Sequence, residues 1–120
     1  MPHLQFEVNK QLKKDIKERF IDFVEKNFSE IMQTGTDHIA ISIREMSFNN
    51  LSLGRAKNNE HICLMNLDIR AGRTNSQKKR LIKSLICGAN DILGIKKKNQ
   101  YVTITNHVGE EFNFFEKSLS

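Results

Sequence analysis

The sequence predicts an α+β fold in which two fused βαβ units form a four-stranded mixed sheet with two helices on one face. Three observations lead there. A strand, helix, strand order occurs twice, over about residues 2–60 and again over about 61–120. Each helical stretch carries its apolar side chains at spacings of three and four, which gathers them on one helix face. The segment Ile62 to Ile69, ICLMNLDI, is nearly continuous in apolar residues, as expected of a strand covered on both faces.

Taken in order, His3 to Val8 alternates Leu4, Phe6 and Val8 with polar residues, the period of a half-buried strand. A helix then runs from Leu12 through Ile16, Phe20, Phe23, Val24, Phe28 and Ile31 to Met32, with Gly35 as its stop. Ile39, Ile41 and Ile43 alternate in a second strand that ends near Met46. Ser47 to Glu60, rich in Asn, Ser and Gly, reads as a loop or short hairpin. The second half repeats the scheme. After the 62–69 strand, residues 70–73 turn, and Thr74 with Gln77 forms a capping box opening a helix lined by Leu81, Ile82, Leu85, Ile86, Ala89, Ile92 and Leu93. Gly94 fits its C-cap, Tyr101 to Asn106 alternates as a fourth strand, and an aromatic tail holds Phe112, Phe114 and Phe115. Right-handed crossovers make each strand pair parallel and put both helices on one side. With apolar residues of both parities in the third strand, the other face needs a cover, and self-association in a closed symmetric oligomer supplies one.

A chain of 120 residues with 38% hydrophobic content suits a single domain, 1–120, and argues against wholesale disorder. No apolar run approaches the roughly 18 residues of a membrane span. The start MPHLQFEVNKQLKK lacks the layout of a secretory signal, so a cytoplasmic location is expected. Cys63 and Cys87 sit among apolar neighbours and read as reduced thiols. The net charge of +5 favours anionic partners. Its clusters at Lys13, Lys14 and Lys17, at Lys78, Lys79, Arg80 and Lys83, and at Lys96 to Lys98 read as solvated surface. With one tyrosine and no tryptophan for stacking on bases, nucleic acid is not the expected partner.

Three residues carry the candidate chemistry. Removal of Met1 would leave Pro2 with a free secondary amine, less basic than a lysine and further weakened as a base by burial near cations, so it can take a proton near neutral pH. Arg70 and Arg73 bracket Gly72 in the turn before the second helix, where their guanidinium groups can hold a carboxylate or an enolate. If the first and third strands pair antiparallel, Pro2 starts beside the end of strand three and faces both arginines. His3, His38, His61 and His107 show no ligand spacing, so no metal is expected. No phosphate-binding glycine motif or nucleophile elbow is present, and no cofactor is expected.

The start Met1-Pro2-His3, the segment Ile69 to Thr74 followed by Gln77-Lys78, and the strand end Ile43 to Met46 resemble the tautomerase superfamily. The two-unit length, the Ala71-Gly72-Arg73 turn and the Phe112-Asn113-Phe114 tail most resemble its 5-carboxymethyl-2-hydroxymuconate isomerases. The resemblance implies a homotrimer with the sheets lining its centre, Pro2 as catalytic base, and arginines binding the carboxylates of a small-molecule 2-oxo or 2-hydroxy acid. Arg70 matches the two-arginine turn of the cis-3-chloroacrylic acid dehalogenases better than the isomerase turn. The strand arginine of 4-oxalocrotonate tautomerase aligns with Ala40, leaving that role to Arg44 further along the strand. Tyr101 falls two positions before the dehalogenase tyrosine, at Thr103, which weakens a hydratase or dehalogenase reading, and Glu110 and Glu111 are loose candidates for activating water. The expected function is a cofactor-independent isomerase that shifts a proton on an unsaturated 2-oxo acid or dicarboxylate. The alternatives are hydration or dehalogenation on the same scaffold, or a non-enzymatic homo-oligomeric binding protein.

Overall fold

The computed structural model describes residues 2–118. Its elements are β1 (His3–Val8), α1 (Lys14–Met32), β2 (Ala40–Glu45), β3 (Cys63–Arg70), α2 (Asn75–Gly88) and β4 (Gln100–His107). The strands form one sheet in the order β2-β1-β3-β4, parallel at both outer pairs and antiparallel at the central β1–β3 pair. This is the expected mixed four-stranded sheet with two helices.

Period-two alternation decides the two faces. Leu4, Phe6 and Val8 of β1 and Cys63, Met65, Leu67 and Ile69 of β3 are buried under the helices. They meet Phe20, Val24 and Phe28 of α1 and Leu81 and Leu85 of α2 in one core. The Phe6 and Phe20 rings pack edge to face at 4.9 Å. Where the helices cross, Gly88 is buried so closely against Phe23 that an added Cβ would lie 2.1 Å from the ring.

The open face corrects the expectation of an apolar second side. On β3 it carries Leu64, Asn66, Asp68 and Arg70, so only one of four side chains is apolar. Its polar groups bond one another across strands, for example Asn66 with Thr103 at 3.0 Å. The continuous apolar look of ICLMNLDI came from Ile62 and Leu64 flanking an otherwise alternating strand.

Both ends of α1 differ from the reading, for the helix starts at Lys14 and not at Leu12. The stop of α1 is Gln33, left-handed at φ 53°, and not Gly35. The Gln33 amide reaches the Ser29 carbonyl, so the helix closes before the glycine is needed. The α2 capping box forms as read, with the Gln77 amide donating to Thr74 Oγ1 and the Thr74 amide to Gln77 Oε1. A π turn at Ala89–Leu93 extends the helix to Gly94, left-handed at φ 72°.

Between Met46 and Ile62 there is no hairpin, only a 3-10 turn at Phe48–Asn50 in a loop. Buried Asn9 anchors it by donating to the Phe48 carbonyl and accepting from the Ile62 amide. Glu60 ties the loop to the turn before β4, binding Lys96 at 2.6 Å and Lys98 at 2.7 Å. Those hydrogen bonds hold the Glu60 carboxyl far below the usual carboxylate range. A depressed folded pKa means this contribution is full above the unfolded value and fades as pH falls through the folded one.

Two outcomes follow for stability. Gly88→Ala forces Phe23 out of place, an overpacking cost of roughly 1–3 kcal/mol that outweighs the roughly 1 kcal/mol of helix propensity gained; thermal denaturation should show a lowered midpoint. Glu60→Gln should lower stability at neutral pH and flatten its decline between about pH 5 and pH 2 in acid titrations, because the lost group no longer takes up a proton on unfolding.

Candidate functional site at the Pro2 end of the sheet

The β1–β3 ladder pairs His3 with Asp68, and one further step sets Pro2 beside Ile69, just before Arg70. Pro2 is buried, and its carbonyl accepts the Ala40 amide at 3.1 Å, continuing the β1–β2 ladder. Its nitrogen belongs to the main chain. It therefore lies at the end of the sheet, where face parity does not restrict its approach.

The arginines leave this end on two sides. Arg70 follows the parity of Asp68 and is exposed on the open face. The chain then turns: the Ala71 amide donates to the His107 carbonyl at 2.7 Å, and Gly72 takes φ 103°, a left-handed value that glycine tolerates. Arg73 comes back half-buried against the helix layer, its Nη1 donating to the Met32 carbonyl at the end of α1, 3.1 Å away. Pro2, Arg70 and Arg73 thus share one end of the sheet, with the guanidinium groups on either side of it.

Arg44 is not brought there within the protomer. It pairs in register with Glu7, four residues along β2 from Ala40, or about 13 Å at strand rise. Its guanidinium lies 3.6 Å from Glu7. Together with Leu64 and Tyr101 these residues line a shallow concavity of about 290 Å³ on the open face.

Sequence reasoning missed a polar network on that face. Asp68 accepts from Gln5 Nε2 at 2.8 Å and from His107 Nε2 at 3.1 Å, joining three strands. Nδ1 of His107 is 3.7 Å from Glu111, whose carboxylate also accepts the Val108 amide. His3 meets Ser42 at 3.0 Å on the same face. The polar residues Asn66 and Asp68 at alternate positions of ICLMNLDI were the available signal, and alternation puts them opposite the helices.

The aromatic tail crosses this end. Phe112 sets its ring edge-on to His107 at 5.3 Å, and Phe114 lies 5.3 Å from His38, two residues before Ala40 at the far edge of the sheet. An isolated bridge between Asn113 and Ser118 closes the tail on itself. Glu110 and Glu111 are exposed on the turn before it.

Elsewhere, three groups are defined by their surroundings. Burial pushes the Cys63 thiol up to about 12, and Cys87 is a free, half-buried thiol. The Lys17 side chain and the Leu12 amide hold the Glu45 carboxyl below its usual range. Among the described residues no group of three or more His, Cys, Asp or Glu side chains is placed to hold a metal ion. No described helix is long and apolar enough to cross a membrane.

This arrangement of sheet and helices is the tautomerase fold. A member of the cis-3-chloroacrylic acid dehalogenase family superposes with a TM-score of 0.84 at 17% identity, over 98% of this chain and 83% of that one. A fused 4-OT in the form of an asymmetric trimer gives 0.82 at 20% identity, over 98% and 95%. Pt0534, inactivated by 2-oxo-3-pentynoate, gives 0.82 at 14% identity, over 94% and 91%. No family model and no curated protein matches the sequence.

Proposed function

We propose that the protein is a cofactor-independent tautomerase or isomerase of a small unsaturated 2-oxo acid or dicarboxylate, acting in the cytoplasm as a homotrimer. Met1, which lies outside the described residues, is removed in this reading, and Pro2 becomes the base. The observation that carries the reading is the antiparallel register of β1 on β3, which starts the chain beside the strand end that Arg70 and Arg73 flank. Arg70 presents its guanidinium to solvent at that end. Arg73 commits one N–H to the Met32 carbonyl, and its fork has further donors for a carboxylate. The likeness to a protein inactivated by a 2-oxo acid and to a trimeric fused tautomerase supports the substrate class and the assembly.

The chemistry needs little else. A neutral proline nitrogen removes a proton next to the carbonyl, and fixed cations stabilise the negative charge that develops on the enolate oxygens. The finer resemblance to 5-carboxymethyl-2-hydroxymuconate isomerases narrows the substrate to a hydroxymuconate-like dicarboxylate.

Ketonisation of phenylenolpyruvate and of 2-hydroxymuconate tests the reading. Intact mass should show loss of Met1. Pro2→Ala should lower kcat/KM by roughly 10²–10⁴-fold, and Arg70→Ala and Arg73→Ala by roughly 10²–10³-fold each. Equal rates for wild type and Pro2→Ala, or a retained Met1, would remove the proline base. Turnover of 3-chloroacrylate without ketonisation would favour the dehalogenase alternative.

A further inference from the structure

The flank of α2 carries apolar surface that neither the core nor the Pro2 end uses. Leu81 and Leu85 of this helix are wholly buried, whereas Ile82 and Ile86 beside them are only half covered. With Cys87 they line an apolar concavity of about 360 Å³, completed by the exposed residues Lys79, Lys83 and Lys97. We infer that this concavity binds a medium-chain alkyl carboxylate, its chain on Ile82 and Ile86 and its headgroup among the lysines.

The fold holds the walls in place. One wall is α2, and the other is the 3-10 turn Lys97–Asn99 before β4. Buried Gln100 joins the helix to the segment leading into this turn, its Nε2 donating to the Ile86 carbonyl at 3.0 Å and to the Ile95 carbonyl at 3.1 Å. Glu60 fixes the same turn through Lys96 and Lys98 and leaves Lys97 between them uncommitted. A site formed in advance spares a ligand the cost of ordering it.

Charge selects the headgroup. Among the described residues, Lys79, Lys83 and Lys97 take part in no ion pair, and no acidic side chain lines the concavity. Unpaired ammonium groups beside apolar surface complement a ligand that is anionic at one end and apolar along the rest, and lysine stems extend the apolar contact.

Size selects a small molecule over a protein. A stable protein interface takes about 20–30 residues a side, and six residues line this concavity. Its volume falls within the roughly 300–1,000 Å³ of small-ligand sites. Lys79 to Cys87 spans about 12 Å of helix axis, room for an alkyl chain laid along the helix.

Decanoate is the probe, with decanol supplying the chain without the charge and butyrate the charge without the chain. In protein labelled with ¹³C at the isoleucine δ1 methyls, decanoate should shift Ile82 and Ile86, and either control at the same concentration should shift them far less. Alkylation of Cys87 by iodoacetamide should slow about tenfold at ten times the decanoate Kd, by mass action; wholly buried Cys63 reacts only as slow background. The double variant Lys79→Glu and Lys83→Glu, at exposed positions, should weaken decanoate roughly tenfold. Decanol acting as strongly as decanoate, shifts confined to other isoleucines such as Ile39 and Ile69 at the Pro2 end, unprotected Cys87, or unchanged affinity in the double variant would each overturn the assignment. So would an acidic amphipathic peptide that moves Ile82 and Ile86 when decanoate does not, which would make the concavity a protein contact. No readout involves turnover, so the outcome is independent of the proline reading.

Discussion

The antiparallel pairing of β1 with β3 is the constraint on which the rest of the molecule depends. Each βαβ half alone would be a two-stranded parallel ribbon under one helix, too small to bury its own apolar face. Joined through β1 and β3, the halves share a core in which Leu4, Phe6, Leu67 and Ile69 are wholly shielded. Burial of such side chains contributes roughly 1.5–3 kcal/mol each. A slip of one residue would turn all of them to the open face and is excluded on that ground. The same register that packs the core therefore also fixes where the chain begins relative to the 70–73 turn.

That coupling explains why the proposed site lies at the end of the sheet. The middle of the helix-side face is close-packed and dry, and the middle of the open face is occupied by cross-strand pairs such as Gln5–Asp68 and Asn66–Thr103. At the end the ladder stops, and Pro2, Arg70 and Arg73 share it. The tail, passing from Phe112 near β4 to Phe114 beside His38, lays aromatic surface across this end. Apolar surface there lowers the local dielectric and strengthens charge interactions beside it.

The basic charge has a more modest explanation than a polyanion site. Lys17 is spent on Glu45, and Lys96 and Lys98 on Glu60, where they hold loops to the sheet. Lys79, Arg80 and Lys83 are exposed on α2. What remains is a net positive field over the surface, which attracts anions in general.

The order of elements, the capping box at Thr74 and the inward faces of both helices were legible in the chain alone, because side-chain period and cap chemistry are local properties. Local rules also account for the errors. Gly35 looked like the helix stop, yet Gln33 adopts the left-handed turn two residues earlier, and Ile62 with Leu64 made β3 look apolar on both faces although only Leu64 faces outward. Pro2, Arg70 and Arg73 were visible as residue types at suggestive spacings. The Asp68–His107 pair was not, since its members are 39 residues apart and meet only because parallel pairing of β3 and β4 sets them on adjacent strands of one face. Arg44 is the converse case: a cation of suitable type that register carries to the far end of β2. Sequence by itself thus determined which segments are strands and helices and which side of each is apolar. Tertiary structure decided which polar groups meet, because that depends on strand order and register, and these are set by packing the whole core at once.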